Sequence, residues 1–289
     1  MSEERILEGV RLSSPDKVLY PEQGITKAEL ADYYVAVAER MLPHVANRPV
    51  TMVRCPTGAE KKCFYQRHAG SGVLPQLHEV IVPGFAEPYL YIRDLPGLVA
   101  MVQMGTLEIH PWGVTVERPD KPDRIIFDLD PDEGLSFDDV ISAALEVRER
   151  LQRLGLESFV KTTGGKGLHV VLPVEPTGDW PTAKAFAKKL SAEMAADAPE
   201  RYLTRISKAE RAGRIFIDYL RNDPTSTAVG PYSTRSRPGA PVAMPIEWEE
   251  LNRALDPSAF TLKTAPARVQ EKEDPWREMA QIRQQLPLP

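Results

Sequence analysis

Two cysteines, Cys55 and Cys63, are too few to staple a chain of 289 residues, and neither has partners at zinc-finger spacing. A disulfide framework and a zinc ribbon are thereby excluded, and a reducing cytoplasm fits best. Long apolar runs are lacking as well. No stretch approaches the ~18 uncharged apolar residues of a membrane helix. The polar start Met1-Ser2-Glu3-Glu4-Arg5 has none of the character of a signal peptide. A basic excess is missing too: 36 Lys and Arg face 41 Asp and Glu, for a net charge of -5. That disfavours a general nucleic-acid coat. There is no internal repeat.

What is present is ordinary in bulk and uneven in detail. Hydrophobic residues are 42% and charged residues 27%, which excludes collagen-like, coiled-coil and wholly disordered chains. The length suits one large or two small domains. Charge is segregated: residues 120 to 150 hold ten acids and four bases. Residues 201 to 237 hold eight bases and three acids, and residues 48 to 68 five bases and one acid. Acidic and basic patches side by side suit a metal-dependent enzyme acting on a polyanion; a merely patchy surface reads the same way. The 27 prolines are dispersed, which marks a loop-rich fold.

Thr26 with Glu29 forms a capping box, and Leu30, Tyr33, Tyr34, Val37, Ala38 and Met41 follow at helical spacing up to Pro43, where the helix is expected to stop. A second helix is expected from Ser136 to about Leu154, with Val140, Ala144, Leu145 and Leu151 inward. A third follows Pro181 with Phe186, Leu190 and Met194 on one face, and a fourth covers 276–285. Strands are clearest at 124–129, 158–163, 168–174 and 214–219, with others near 50–54, 77–82 and 98–103. Regular βαβ alternation is missing, so the expected class is α+β.

The sharpest feature is Ile125-Ile126-Phe127-Asp128-Leu129-Asp130. Strand side chains alternate, so Asp128 and Asp130 share a face with Cα atoms roughly 6–7 Å apart. Two carboxylates so placed repel when empty and suit one or two Mg²⁺- or Mn²⁺-class cations. Asp218 ends the apolar run Ile215-Phe216-Ile217, where an acid is costly to bury unless paired or metal-bound. If the two strands are neighbours, the three acids converge. A solvated strand end is the plain alternative. Pro131-Asp132-Glu133-Gly134 after the pair do not match a dehalogenase-like phosphatase, and Glu133 stands where an EF-hand needs glycine.

The segment from Thr162 through Thr163, Gly164, Gly165, Lys166 and Gly167 to Leu168 and His169 joins two expected strands. It is not a Walker A loop, yet hydroxyls, glycines and a lysine can cradle phosphate. A tight hairpin turn, for which Gly-Gly is common, is the plainer reading of these residues alone. His169 and His110 are ambiguous alone; near a triphosphate His169 could donate a charge-assisted hydrogen bond. Phe64 and Tyr65 lie within a basic stretch, as a base-stacking surface would require. Arg221, Arg235 and Arg237 offer guanidinium forks for phosphate.

Taken in order, His110-Pro111-Trp112, Phe127-Asp128-Leu129-Asp130-Pro131, the glycine segment and Ile215-Phe216-Ile217-Asp218-Tyr219-Leu220-Arg221-Asn222 resemble the polymerase domain of bacterial DNA ligase D, in the archaeo-eukaryotic primase superfamily. The likeness covers nearly the whole chain. It includes Ser14 to Pro21, Ile25-Thr26-Lys27, Val53-Arg54-Cys55-Pro56, Phe64-Tyr65-Gln66 and Asp274-Pro275-Trp276.

The resemblance implies metal-binding acids at Asp128, Asp130 and Asp218, with Asp218 nearest the primer 3′-hydroxyl. It implies nucleotide contacts at His110, Arg54, Arg221, Arg235 and Arg237, and triphosphate contacts at Thr163, Gly164, Lys166 and His169. Phe64 and Tyr65 would stack near the templating base, and Lys17 and Lys27 would read a 5′-phosphate on the downstream strand. Thr163 replaces the family's usual serine, and Tyr65 a common phenylalanine. The implied cofactors are two divalent ions, Mn²⁺ in preference to Mg²⁺. The implied partners are DNA with a 5′-phosphate at a gap or recessed end, nucleoside triphosphates, a ligase and a Ku-type end-binding protein, and no membrane. The implied setting is the bacterial cytoplasm, at the nucleoid.

The expected fold is an α+β, primase-like core with central mixed or antiparallel sheets flanked by helices. It would form a single domain over 1–289, with a DNA-contacting part (1–104), a catalytic core (105–235) and a wrapping C-terminal segment (236–289). The expected activity is template-directed addition of nucleotides, ribonucleotides preferred, in non-homologous end joining. A stand-alone primase-polymerase for gap filling or damage tolerance, and a non-catalytic DNA-end-binding module, are the alternatives.

Overall fold

The computed structural model describes residues 4–205 and 210–287; Met1 to Glu3 of the polar start and Lys208 of the basic stretch lie outside them. The chain divides into two units. One comprises Met1–Trp112, Val229–Ala243 and Ser258–Asp274, the other Gly113–Ala228, Met244–Pro257 and Pro275–Pro289. The first unit opens with β1 (Arg5–Leu7), β2 (Val10–Leu12), β3 (Val18–Tyr20), β4 (Ile25–Thr26) and α1 (Lys27–Val45). It continues with β5 (Val50–Arg54), β6 (Phe64–Gln66), β7 (His78–Val80), β8 (Tyr89–Tyr91), α2 (Leu95–Gln103) and β9 (Thr106–Pro111). The second unit holds β10 (Arg124–Pro131), α3 (Phe137–Arg153), β11 (Phe159–Thr162), β12 (Leu168–Pro173) and α4 (Trp180–Asp197). It is completed by β13 (Tyr202–Leu203), β14 (Ile215–Asp218) and β15 (Pro245–Ile246); α5 (Ala265–Glu271) belongs to the first unit.

In the first unit the capping box is formed: Thr26 N donates to Glu29 Oε2 at 2.7 Å, and Glu29 N donates to Thr26 Oγ1 at 3.2 Å. The apolar series from Leu30 to Met41 is buried. The helix does not stop at Pro43 but carries it in its last turn. Proline forfeits one backbone bond there, yet Ala46 N still reaches Leu42 O at 2.9 Å and closes the turn. The strand expected at 98–103 is α2 instead. Asp94 caps it by accepting from Gly97 N at 3.1 Å, with a proline in the first turn. Leu98 to Val102 are buried on every side, so their periodicity could not separate helix from strand.

β5 is the centre of an antiparallel sheet ordered β6-β5-β9. Cys55 and Cys63 are bonded to each other in the turn between β5 and β6, Cα atoms 4.3 Å apart. The expectation of a reducing setting without a disulfide framework therefore meets one local disulfide between these two cysteines. Their separation of eight positions closes only a local loop, and the hairpin decides that the two Cα atoms fall within bonding range.

In the second unit a six-stranded sheet runs β13-β14-β10-β12-β11-β15, antiparallel except for β13 with β14. With helices α3 and α4 packed on it, the α+β class holds. Ile125, Phe127 and Leu129 lie on one face with Val170, Leu172 and Val160, all fully buried. Ile126, Asp128 and Asp130 lie on the other. α3 starts at its Ser136 cap, but Leu145 is exposed and Val147 buried instead; the apolar stripe is narrower than the sequence suggests.

The helix expected at 276–285 is absent apart from one 3-10 turn, Met279–Gln281. Tertiary bonds replace helical ones. Trp276 Nε1 donates to Val160 O at 3.1 Å, and the Gln284 side chain donates to Glu157 O at 2.8 Å and Pro173 O at 2.6 Å. Trp276 and Met279 pack on Val171, Ile126 and Phe159. They cover the part of the acid-bearing face that lies away from the acids.

Candidate active site

Backbone pairing brings the acids of the second unit together. β10 is flanked by β14 and β12, and Asp128 stands opposite Asp218 on one side and His169 on the other. Directly opposed side chains in an antiparallel pair share a face, and Asp130 joins it two residues on. Asn222 locks this register. Its buried amide accepts from Ile126 N at 2.8 Å and donates to Ile126 O at 2.8 Å, extending the ladder by a side chain. Arg221 is thereby aimed back at the acids: its Nε lies 3.1 Å from Asp128 Oδ2 and 3.1 Å from Asp218 Oδ2. Arg211 Nη1 donates to Asp130 Oδ2 at 2.7 Å.

Burial alone would raise the Asp128 carboxyl, but His169 and Arg221 outweigh it and hold Asp128 well below its usual range. Burial pushes Asp218 above its ordinary value in spite of Arg221, with Asp128 adding repulsion. Burial and then Asp128 likewise raise Asp130. His169 Nε2 is 3.3 Å from Asp128 Oδ1. Burial first, and Lys161 second, bring the imidazole down to about 4, so it is neutral at pH 7 and the lasting cation beside Asp128 is Arg221.

Three carboxylates on one face are hard oxygen donors of the kind divalent cations take. Among the described residues no three acid, imidazole or thiolate groups converge into a ready metal cage. The oxygens are turned to guanidinium groups, which put positive charge where a cation would put it.

The glycine loop is a hairpin turn between β11 and β12, seated against the acid-bearing strand. A Cβ at Gly167 would lie 2.5 Å from Leu129 O, so only glycine fits this approach. Gly164 has φ +67°, the left-handed region that glycine tolerates. Thr163 is buried and its Oγ1 donates to Gly167 O at 3.1 Å, while Lys166 is exposed.

The first unit carries the remaining expected residues. His110 on β9 and Arg235 meet at Glu108. His110 Nε2 lies 2.8 Å from Glu108 Oε2, and Arg235 Nε lies 3.1 Å from the same oxygen. Arg237 is exposed. Arg54 is half-buried: its Nε donates to Met104 O at 2.7 Å, its Nη1 to Gln66 Oε1 at 2.6 Å, and it lies over the Phe64 ring. Phe64 and Tyr65 are both exposed, 42% and 66%, where an ordinary strand pair would bury one. Lys27 is buried, not a surface lysine, and its Nζ donates to Ser13 O at 2.7 Å. Burial first and neighbouring Lys17 second lower its pKa. Among the described residues neither lysine pairs with a carboxylate, and two like charges that repel each other suit an anion.

The model of the family described as LigD, primase-polymerase domain, matches residues 26–276. The chain belongs to this family. The multifunctional non-homologous end joining protein LigD of Pseudomonas aeruginosa is 37% identical over 96% of this chain and 34% of its own length. That of Mycolicibacterium smegmatis is 35% identical over 84% of this chain and 32% of its own. The chain thus spans about a third of the length of these curated relatives. The polymerase domain of Mycobacterium tuberculosis ligase D, solved in complex with DNA, superposes with a TM-score of 0.87 at 32% identity, over 93% of this chain and 97% of that one.

In this LigD-type domain the sequence reading overlooked four supporting residues: Glu108, Arg211, Asn222 and Gln103. Gln103 Nε2 donates to Ser13 Oγ at 2.7 Å and its Oε1 accepts from Lys27 Nζ at 3.3 Å. Each acts through a contact distant in sequence. The one available signal was the lone acid in the apolar run Leu107-Glu108-Ile109, the same signal that marked Asp218.

Proposed function

We propose that this chain adds nucleotides, ribonucleotides in preference, to templated DNA ends and gaps in bacterial non-homologous end joining, as one primase-polymerase domain over 1–289. The carrying observation is the presentation of Asp128, Asp130 and Asp218 on one face of β10 and β14, beside the glycine loop. Family membership and the DNA-bound structural relative support the reading.

Asp128, Asp130 and Asp218 would hold divalent metal, two ions with Mn²⁺ preferred to Mg²⁺. Bound metal supplies charge neutralisation at the triphosphate and acidifies the primer 3′-hydroxyl. Asp218 is the acid assigned to the 3′-hydroxyl side. With metal held by the acids, the guanidinium groups of Arg221 and Arg211 would face phosphate oxygens. Thr163, Gly164, Lys166 and His169 bind the triphosphate; the neutral His169 donates a hydrogen bond through one ring nitrogen. The first unit supplies nucleotide contacts through His110, Arg54, Arg235 and Arg237, a stacking surface through Phe64 and Tyr65, and a 5′-phosphate contact through Lys17 and Lys27. A ligase and a Ku-type end-binding protein are the partners this role calls for.

Primer extension on gapped DNA with and without a downstream 5′-phosphate, in Mn²⁺, tests the proposal. Templated addition that favours ribonucleotides and is stimulated by the phosphate is the expected result. Extension without either preference would favour a stand-alone primase-polymerase. DNA binding without extension in any metal would favour an end-binding module.

A further inference from the structure

Glu108 is a buried acid that the reaction scheme above does not use. It lies on β9 with its side chain 7% exposed. Both its oxygens are engaged: Oε1 accepts from Ser236 N at 2.8 Å and Ser236 Oγ at 2.7 Å, and Oε2 is hydrogen-bonded to His110 Nε2 at 2.8 Å and ion-paired with Arg235 Nε at 3.1 Å. Two of these partners, His110 and Arg235, are the nucleotide-contacting groups of the first unit.

The surrounding backbone allows little adjustment. Gly230 N donates to Ile109 O at 2.9 Å, and Ile109 N donates to Ser233 Oγ at 2.9 Å. A Cβ on Gly230 would meet Pro111 Cδ at 2.9 Å, so the segment carrying Arg235 lies hard against β9. Arg235 is pinned on both sides of its peptide unit: its N donates to Pro241 O at 2.9 Å, and its O accepts from Tyr20 Oη at 2.9 Å. With the backbone set, His110 is directed by its hydrogen bond to Glu108 and Arg235 by its ion pair with the same oxygen.

A carboxylate accepts only. His110 must therefore carry its proton on Nε2, and any second contact of the ring is made through Nδ1. Burial alone would raise the Glu108 carboxyl, yet the hydrogen bond from His110 and the charge of Arg235 hold it well below its usual range. It is an anion throughout the working pH range.

We propose that Glu108 is a positioning residue for nucleotide binding, fixing the tautomer of His110 and the aim of Arg235 through one shared carboxylate oxygen. This rests on the assignment of His110 and Arg235 to the nucleotide.

The test uses the full chain. Glu108→Gln keeps the shape and removes the charge; Glu108→Asp keeps the charge and withdraws it by one methylene, and is read if the Gln variant does not fold. Single-nucleotide extension with a ribonucleoside triphosphate should show KM raised roughly tenfold, the scale of one charge-assisted hydrogen bond, with kcat changed far less. In the ¹⁵N-labelled wild-type chain, long-range ¹H–¹⁵N correlations should show a proton on His110 Nε2. His110→Ala and Arg235→Ala are measured beside them. If those two leave KM unchanged, the assignment of His110 and Arg235 fails, whatever Glu108 does. If they raise KM while a folded Glu108 variant keeps the wild-type KM, or if Nε2 carries no proton, the positioning role is overturned.

Discussion

Gly167→Ala places a number on the contact between the glycine loop and the acid-bearing strand. The added Cβ would stand 2.5 Å from Leu129 O, with the next atoms, Leu129 C and Thr163 Oγ1, at 3.5 and 3.6 Å. Carbon and oxygen settle no closer than ~3.3 Å, so something must yield by roughly 0.8 Å. The obstructing atom is backbone in the middle of a six-stranded sheet, so the hairpin moves. Overpacking of this kind costs about 2–3 kcal/mol, and alanine recovers roughly 0.5–1 kcal/mol by restricting the unfolded chain. A net loss of about 1–2.5 kcal/mol lowers Tm by roughly 2–10 °C. The functional effect should be larger. Leu129 lies between Asp128 and Asp130, and a shift near ~1 Å in a positioning element can reduce turnover about 100-fold. The assay is thermal unfolding beside single-nucleotide extension. Gly134→Ala is the control, because its Cβ would meet nothing nearer than 3.8 Å; its Tm should rise by roughly 1–4 °C through the same unfolded-chain effect and its kcat/KM should match wild type. Wild-type Tm and kcat/KM in Gly167→Ala would refute the steric argument. A lowered Tm with unchanged kcat/KM would refute the loop's role in holding triphosphate.

Asp128→Ala or Asp130→Ala should abolish extension and leave DNA binding largely intact in a gel-shift assay; wild-type extension from either would sink the assignment of the acids. Lys17→Ala and Lys27→Ala should weaken binding to gapped DNA only when the downstream 5′-phosphate is present, so equal losses with and without it would reject that role. The histidine buried beside Asp128 makes stability depend on pH. His169 titrates near 4 in the folded chain and near ~6.5 when unfolded, so the unfolded chain takes up a proton first as pH falls. His169's contribution is full above about pH 6.5 and is lost by roughly 3 kcal/mol on the way down to about pH 4, with the raised Asp130 and Asp218 acting in the opposite direction. His169→Gln should flatten the denaturation midpoint across that interval; an unchanged slope would assign it to other groups.

Local chemistry was legible in the chain itself. The Thr26–Glu29 and Ser136 caps set helix starts, alternation put Asp128 and Asp130 on one face, and the breakers around Gly164 and Gly165 marked a hairpin. These are interactions among residues a few positions apart, so composition and spacing suffice. Where burial is complete or long-range bonds compete, spacing fails: Leu98 to Val102 became helix, and 276–285 gave up a helix for bonds to β11 and β12. The pairing of β14 with β10 had to come from the tertiary structure, because nothing in either strand names its neighbour. That pairing sets Asp218 against Asp128 and lets Arg221 bridge them. Glu108 and Asn222 show the same limit. Each holds groups brought close only by folding, His110 with Arg235 in one unit and Ile126 with Arg221 in the other. The sequence by itself determined which chemistry the chain carries; only the tertiary structure decided which charges meet, because opposite charges far apart in the chain interact only when the backbone between them has been folded.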